Sequence, residues 1–199
     1  MIVIVDYQMG NLRSVQKGFE YVGKKAFISC EPKEIIKADK IVIPGVGAFG
    51  KAVYYLENLR LKECIIEMAQ KGIPVLGICL GKQLLMERSE EGGEFKGLGL
   101  ISGKVVRFSK GKKIPHIGWN QISIKKYVPI LKNIPDNSFF YFVHSYYAVP
   151  ESQDYIVAVT DYEGEFPSII GNKNVFGIQF HPEKSQNYGL EILKNFAEI

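Results

Sequence analysis

Apolar positions in the first 88 residues switch between two periods. Ile2–Val5 is an unbroken apolar run closed by Asp6, as expected of a strand buried on both faces of a parallel sheet. Leu12, Val15, Phe19 and Val22 then recur at helical spacing, and Gly23 supplies a stop. Ala26–Ile28 reads as a second strand, and Ile41–Ile43 as a third that ends at Pro44–Gly45. Ala52–Leu56 and Leu61–Ala69 read as helices, the latter ending near Gly72. Pro74–Cys79 is the next apolar run, and Gln83–Glu87 is expected to continue as helix. This alternation predicts an α/β fold: an open, mostly parallel mixed sheet flanked by helices.

The pattern changes after Glu90. Glycines at 92, 93, 97, 99, 103 and 111 punctuate short β-like runs such as Lys104–Phe108 and Gln121–Ile124. Phe139–Val143, Tyr155–Thr160 and Val175–Phe180 read as further strands, and a last helix is expected from about Leu190 to Ala197. No internal repeat or linker interrupts the pattern, so one domain over residues 1–199 is the expectation. A chain of 199 residues is long enough to bury a substantial core.

Composition narrows the possible classes. Hydrophobic residues make up 46% and charged residues 23%, which argues against disorder. No apolar run reaches the length of a membrane span, and the start of the chain lacks the charged region of a signal peptide. Three well-separated cysteines, Cys30, Cys64 and Cys79, do not suggest a disulfide framework and fit a reducing, cytoplasmic setting. With three histidines and no Cys/His pairs at zinc spacing, no metal site is expected. The net charge of +4 is local. Phe95–Pro135 contains nine Lys or Arg residues and no acidic residue, while the rest of the chain carries 16 basic and 21 acidic residues.

The sharpest local signal is Gly77-Ile78-Cys79-Leu80-Gly81, where an apolar strand meets a helix. Glycines two before and two after a cysteine make a nucleophile elbow with sulfur in place of oxygen. Side chains at those flanks would collide with the strand or the helix. Nearby helix amides favour the thiolate, which is the reactive form. A buried inert thiol is the plainer reading, and it is the one given to Cys30 and Cys64. For Cys79 the combined pattern favours a nucleophile.

A thiol nucleophile needs a base, and the base needs an orienting carboxylate. His181-Pro182-Glu183 closes the apolar strand Val175–Phe180 and supplies both. His144 follows an aromatic strand; it reads as a second base or a substrate-pocket residue, with a plain structural role weighed somewhat higher. The role of His116 stays open. An acyl-transfer intermediate also needs amide donors. The turn Pro44-Gly45-Val46-Gly47 can present an amide of Val46 or Gly47, and the amide of Leu80 is the second candidate. Gly10-Asn11 lacks the further residues of a phosphate loop.

These motifs resemble the class I (triad) glutamine amidotransferases. Asp6-Tyr7, Gly10–Val15, Pro44–Phe49, Pro115–Asn120, Tyr141–Tyr146 and Gly177–Ser185 narrow the resemblance to the glutaminase subunits of imidazole glycerol phosphate synthase, over essentially the whole chain. The resemblance implies the class I fold with Cys79, His181 and Glu183 as the triad. It also implies hydrolysis of glutamine to glutamate and ammonia through a Cys79 thioester, with no cofactor. Gly47 and Gln83, with groups near His144, Ser145 and Tyr146, are implied to hold glutamine. A (β/α)₈-barrel cyclase is the implied heterodimer partner, receiving ammonia for histidine biosynthesis. Asn11, Trp119, Tyr141 and Lys184 are implied to lie near that partner.

Two positions depart from the family pattern: Gln8 replaces a usual glycine, and Lys82 a usual hydrophobic residue. Lys82 is expected to point to solvent. Other readings are a glutaminase feeding a surface-sugar amidotransferase, a cysteine-elbow hydrolase of another class, or a regulatory module without turnover. The basic segment carries no recognised nucleic-acid motif. It reads first as a solvated β surface and second as part of a protein-docking face.

Overall fold

The computed structural model describes residues 1–108, 113–162 and 164–199. The first half alternates as expected: β1 (Ile2–Val5), α1 (Leu12–Tyr21), β2 (Ala26–Ser29), α2 (Pro32–Ile35), β3 (Lys40–Ile43), α3 (Phe49–Asn58), α4 (Leu61–Gln70), β4 (Val75–Ile78) and α5 (Leu80–Leu84). The second half is mostly strand: β5 (Met86–Ser89), β6 (Phe95–Lys96), β7 (Ile101–Arg107), β8 (His116–Gln121), β9 (Ser123–Ile124), β10 (Phe139–His144), β11 (Tyr146–Pro150), β12 (Ile156–Asp161), β13 (Glu165–Asn172) and β14 (Val175–Ile178). α6 (Gln186–Glu198) closes the chain.

The central sheet has eight strands in the order β2-β1-β3-β4-β14-β13-β12-β9. β2 through β14 in that order pair parallel, and β13, β12 and β9 extend the sheet antiparallel. Its apolar strands face a core on each side. Val3, Val5, Ile41, Ile43 and Val75 pack toward α3 and α4. Ile2, Ile4, Val42, Leu76 and Ile78 pack toward α1 and α6. Two-sided burial is why these strands read as continuous apolar runs rather than alternating ones.

Three features differ from the sequence reading. The chain folds beyond one mixed sheet: β11-β7-β5-β6 form a second sheet, and β10-β8 a separate ribbon. The helix expected over Gln83–Glu87 stops at Leu84, because the carbonyls of Leu84, Leu85 and Met86 accept amides from residues 98–101 and the chain turns into β5. Lys82 does not reach solvent. It is fully buried beneath the elbow. Lys110, Gly111 and Lys112 of the basic segment lie outside the described residues.

Candidate active site

β4 lies between β3 and β14 at the centre of the sheet, and it delivers Cys79 to the sheet's C-terminal edge. The ladder continues through the Cys79 amide, which donates to the Ile178 carbonyl at 2.8 Å. Cys79 itself sits at φ 54°, ψ −107°, a strained conformation for a side-chain-bearing residue. The two elbow glycines are required by close backbone approach. A Cβ on Gly77 would lie 2.6 Å from the Gly81 carbonyl oxygen, and one on Gly81 would collide with the Ile43 carbonyl.

The sulfur opens onto a cavity of about 260 Å³. That is below the usual range of roughly 300–1,000 Å³ for ligand sites, so it suits a small metabolite. Val46 and Gly47 enter it from the loop after β3, and Leu80 and Gln83 from the elbow helix. His144, Ser145 and Tyr146 close it at the β10–β11 junction. The fold therefore gathers every oxyanion and substrate candidate named from sequence around Cys79. Gln83 is fixed by Nε2 donating to the Tyr146 carbonyl at 2.9 Å. The Leu80 amide donates to the Gly45 carbonyl at 3.4 Å, a long bond that leaves it easy to redirect.

His181 and Glu183 flank the start of a 3-10 turn, Pro182–Lys184, that follows β14. His181 Nδ1 lies 2.9 Å from Glu183 Oε1, and both side chains are almost fully buried. The His181 backbone is pinned from both sides: its amide donates to the Tyr141 carbonyl at 2.9 Å, and the Ser185 hydroxyl donates to its carbonyl at 2.6 Å. Among the described residues, His181 Nε2 makes no hydrogen bond, so it is the nitrogen free for chemistry. Burial would lower the His181 pKa, but the Cys79 thiol and the Glu183 carboxylate outweigh it and raise it to about 10. The arrangement keeps the imidazole protonated beside the sulfur.

His144 belongs to a different network. His116 and His144 face each other across β8 and β10, with His116 Nδ1 at 3.1 Å from His144 Nε2. His144 Nδ1 lies 2.9 Å from the Tyr146 carbonyl and so carries its proton. The chain then fixes His116 as the Nδ1–H tautomer, with Asn120 Nδ2 at 3.4 Å from its Nε2. Burial lowers His144 to about 3 and His116 to about 4. Both are neutral, and His144 Nε2 already accepts from His116, so His144 is a weak and occupied base and His116 is the residue that holds it.

Sequence reasoning gave no role to three residues at the site. Glu91 lines the cavity, and its Oε2 accepts from the Phe49 amide at 3.0 Å. In sequence it sits in the run Glu90-Glu91-Gly92-Gly93, which looks like a solvated turn. Tyr7 donates to the Pro44 carbonyl at 2.6 Å and anchors the Val46–Gly47 loop. Burial and the nearby Cys79 both push its phenol pKa up. Gln179 Nε2 lies 3.9 Å from the Cys79 sulfur.

The candidate partner residues form one group and one outlier. Trp119 and Tyr141 meet edge-on at 6.1 Å, and the Lys184 ammonium stands 5.8 Å from the Tyr141 ring. Asn11 is exposed at the start of α1, and no side-chain contact among the described residues joins it to that group.

Glutamine amidotransferase class-I matches residues 3–199. The chain belongs to this family. It is 54% identical over 201 residues to "Imidazole glycerol phosphate synthase subunit HisH" of Methanosarcina barkeri, covering 100% of this chain and 98% of that protein. It is 51% identical over 199 residues to the subunit of the same name from Caldanaerobacter subterraneus subsp. tengcongensis, covering 100% and 98%. Among solved structures, "Crystal structure of glutamine amidotransferase" superposes with a TM-score of 0.80 at 15% identity over 100% of both chains. "Structure of PurLQS from Thermotoga maritima" does so at 0.80 and 18%, covering 99% of this chain and 97% of that one. At those identities the superpositions speak for the amidotransferase fold.

Proposed function

We propose that this class I amidotransferase is the glutaminase subunit of an imidazole glycerol phosphate synthase, acting as one domain over residues 1–199. The observation that carries the reading is a cysteine at a strained elbow, open to a small cavity and backed by a buried His181–Glu183 pair. The Cys79 sulfur attacks the side-chain carboxamide carbon of glutamine. The resulting oxyanion is met by the Leu80 amide, once it leaves the Gly45 carbonyl, and by an amide of Val46 or Gly47. His181 passes its Nε2 proton to the departing ammonia, leaving a glutamyl thioester. It then takes a proton from water as the water attacks, and glutamate is released. Glu183 holds the imidazole and stabilises its charged form. Gln83 and the β10–β11 junction hold the substrate, and the Glu91 carboxylate suits its α-ammonium group. No step needs a metal or cofactor.

The relatives' name, a subunit of a synthase, supports an ammonia-consuming partner. We assign that partner as a (β/α)₈-barrel cyclase of cytoplasmic histidine biosynthesis, docked on the face that carries Trp119, Tyr141 and Lys184, with Asn11 as a separate candidate contact. The test mixes the purified chain with such a cyclase and its nucleotide substrate. Glutamate and imidazole glycerol phosphate are expected to form in equal amounts. Cys79→Ala should lower turnover by about 10⁴ or more. Full activity in that variant would remove the assignment. Glutamate formed without the imidazole product would remove the histidine-pathway partner.

A further inference from the structure

Lys82 stands three residues after the nucleophile, in a helix whose five residues are all buried. Its stem uses the space over Gly177, where a Cβ would come within 2.7 Å of Lys82 Cγ. The ammonium donates to the Pro167 carbonyl and, at 3.3 Å, to Gln179 Oε1. Gln179 is fully buried, and its own amide donates to the Ser168 carbonyl at 2.8 Å. Lysine has only donors to offer, so it claims the oxygen of the Gln179 side chain. The amide nitrogen is thereby turned toward Cys79, whose sulfur lies 3.9 Å from Nε2. A chain of donors runs from a buried cation to the nucleophile.

Burying an ammonium without a carboxylate is unfavourable. Among the described residues, none of the hydrogen-bond partners of Lys82 is a carboxylate. Burial brings its pKa down to about 7, and the Cys79 charge works in the opposite direction. The titratable groups facing it are Cys79 and the neutral His144. The counter-charge available to Lys82 is therefore the thiolate.

We propose that Lys82 is a positioning residue for the nucleophile: it locks the Gln179 amide with Nε2 aimed at Cys79 and supports the thiolate through that amide. The proposal rests on Cys79 being the nucleophile.

Iodoacetamide labelling, localised by mass spectrometry across a pH series, tests both and needs neither glutamine nor a partner. In the wild type, Cys79 should react faster than Cys30, which the fold leaves exposed and not buried as its sequence suggested. If it does not, the nucleophile reading falls and the Lys82 proposal with it. In Lys82→Met, which keeps length and removes charge, Cys79 should react at least about tenfold more slowly below pH 7, the factor given by one unit charge within about 12 Å at an effective dielectric near 20. The difference should close above about pH 8, where Lys82 is neutral in the wild type. Gln179→Met should slow labelling similarly, and the double variant no further. Fast wild-type labelling with the same rate in Lys82→Met, or a rate ratio constant with pH, would make Lys82 a structural filler and overturn the proposal alone. If Lys82→Met does not fold, the ¹³Cε resonance of Lys82 gives the same decision. Cys79→Ala should move its titration midpoint below about 7, and an unmoved midpoint would overturn the proposal.

Discussion

His181 and Lys82 are both buried beside one sulfur, and they respond to pH in opposite senses. The folded chain holds His181 protonated up to about pH 10, whereas an unfolded histidine releases its proton near 6.5. The pairing with Cys79 and Glu183 therefore stabilises the fold fully below about 6.5, and that stabilisation is lost as pH climbs through 10. Glu183→Gln should lower kcat by roughly 10²–10⁴ by freeing the imidazole. Its melting-temperature deficit should be widest near pH 6 and narrow toward 10, which calorimetry at stepped pH will read. For Lys82 the folded value of about 7 lies below the unfolded 10.5, so the unfolded chain binds the extra proton in between. Its burial becomes less unfavourable as pH rises from 7 to 10.5. The stability of Lys82→Met relative to the wild type should fall across that window by at most about 1.4 kcal/mol per pH unit. Starting at neutral pH, relief of the buried charge is set against the unpaired Pro167 carbonyl, about 1–3 kcal/mol. Gln8 shows a smaller strain. At φ 66° it occupies a left-handed position that suits the glycine usual in the family.

The elbow depends on two elements approaching at backbone distance. Gly81→Ala pushes a methyl into the Ile43 carbonyl of the neighbouring strand, so β3 and α5 must separate. Overpacking of this kind costs about 1–3 kcal/mol or more, which lowers the melting temperature of a domain this size by roughly 3–10 °C. Activity should fall further than stability, because Cys79 moves with the helix. A variant with wild-type melting and turnover would show that the elbow tolerates the methyl. This element was legible in the sequence because its signal is local: an apolar run, a cysteine and two glycines within five residues. The candidate triad was proposed on equally local grounds, His181 and Glu183 being two residues apart. What escaped is set by distant pairing. β5 replaces an expected helix because Leu98, Gly99, Leu100 and Ile101 supply amides from across a loop. The buried Lys82 escaped because helical spacing says nothing of a short helix packed on every side. The His116–His144 contact exists only through the register of two strands 28 residues apart.

At the scale of the whole molecule, the basic segment divides among surfaces. Lys96, Lys104 and Arg107 belong to the second sheet, while Lys125 and Lys126 lie beside β9 at the edge of the central one. Several are answered locally: Lys104 pairs with Glu90 at 2.8 Å, Lys125 with Glu165 at 3.5 Å, and Lys126 donates to the Asp154 carbonyl. The proposed docking face instead offers aromatic area, with Trp119 46% exposed beside Tyr141 and Lys184. Aromatic anchors carry binding energy, whereas scattered and paired charges contribute little to long-range steering. Trp119→Ala should therefore weaken binding to the cyclase by about 30-fold or more, the size of a hot spot near 2 kcal/mol. Association of the unaltered chain should slow less than about threefold between 50 and 300 mM salt, where the screening length is about 14 to 6 Å. Stopped-flow mixing with the partner measures both. A tenfold or greater loss of association rate with salt would assign the cations to docking. A flat profile with a damaged Trp119 variant would leave them as a solvated surface on a frame that binds through its aromatic ribbon.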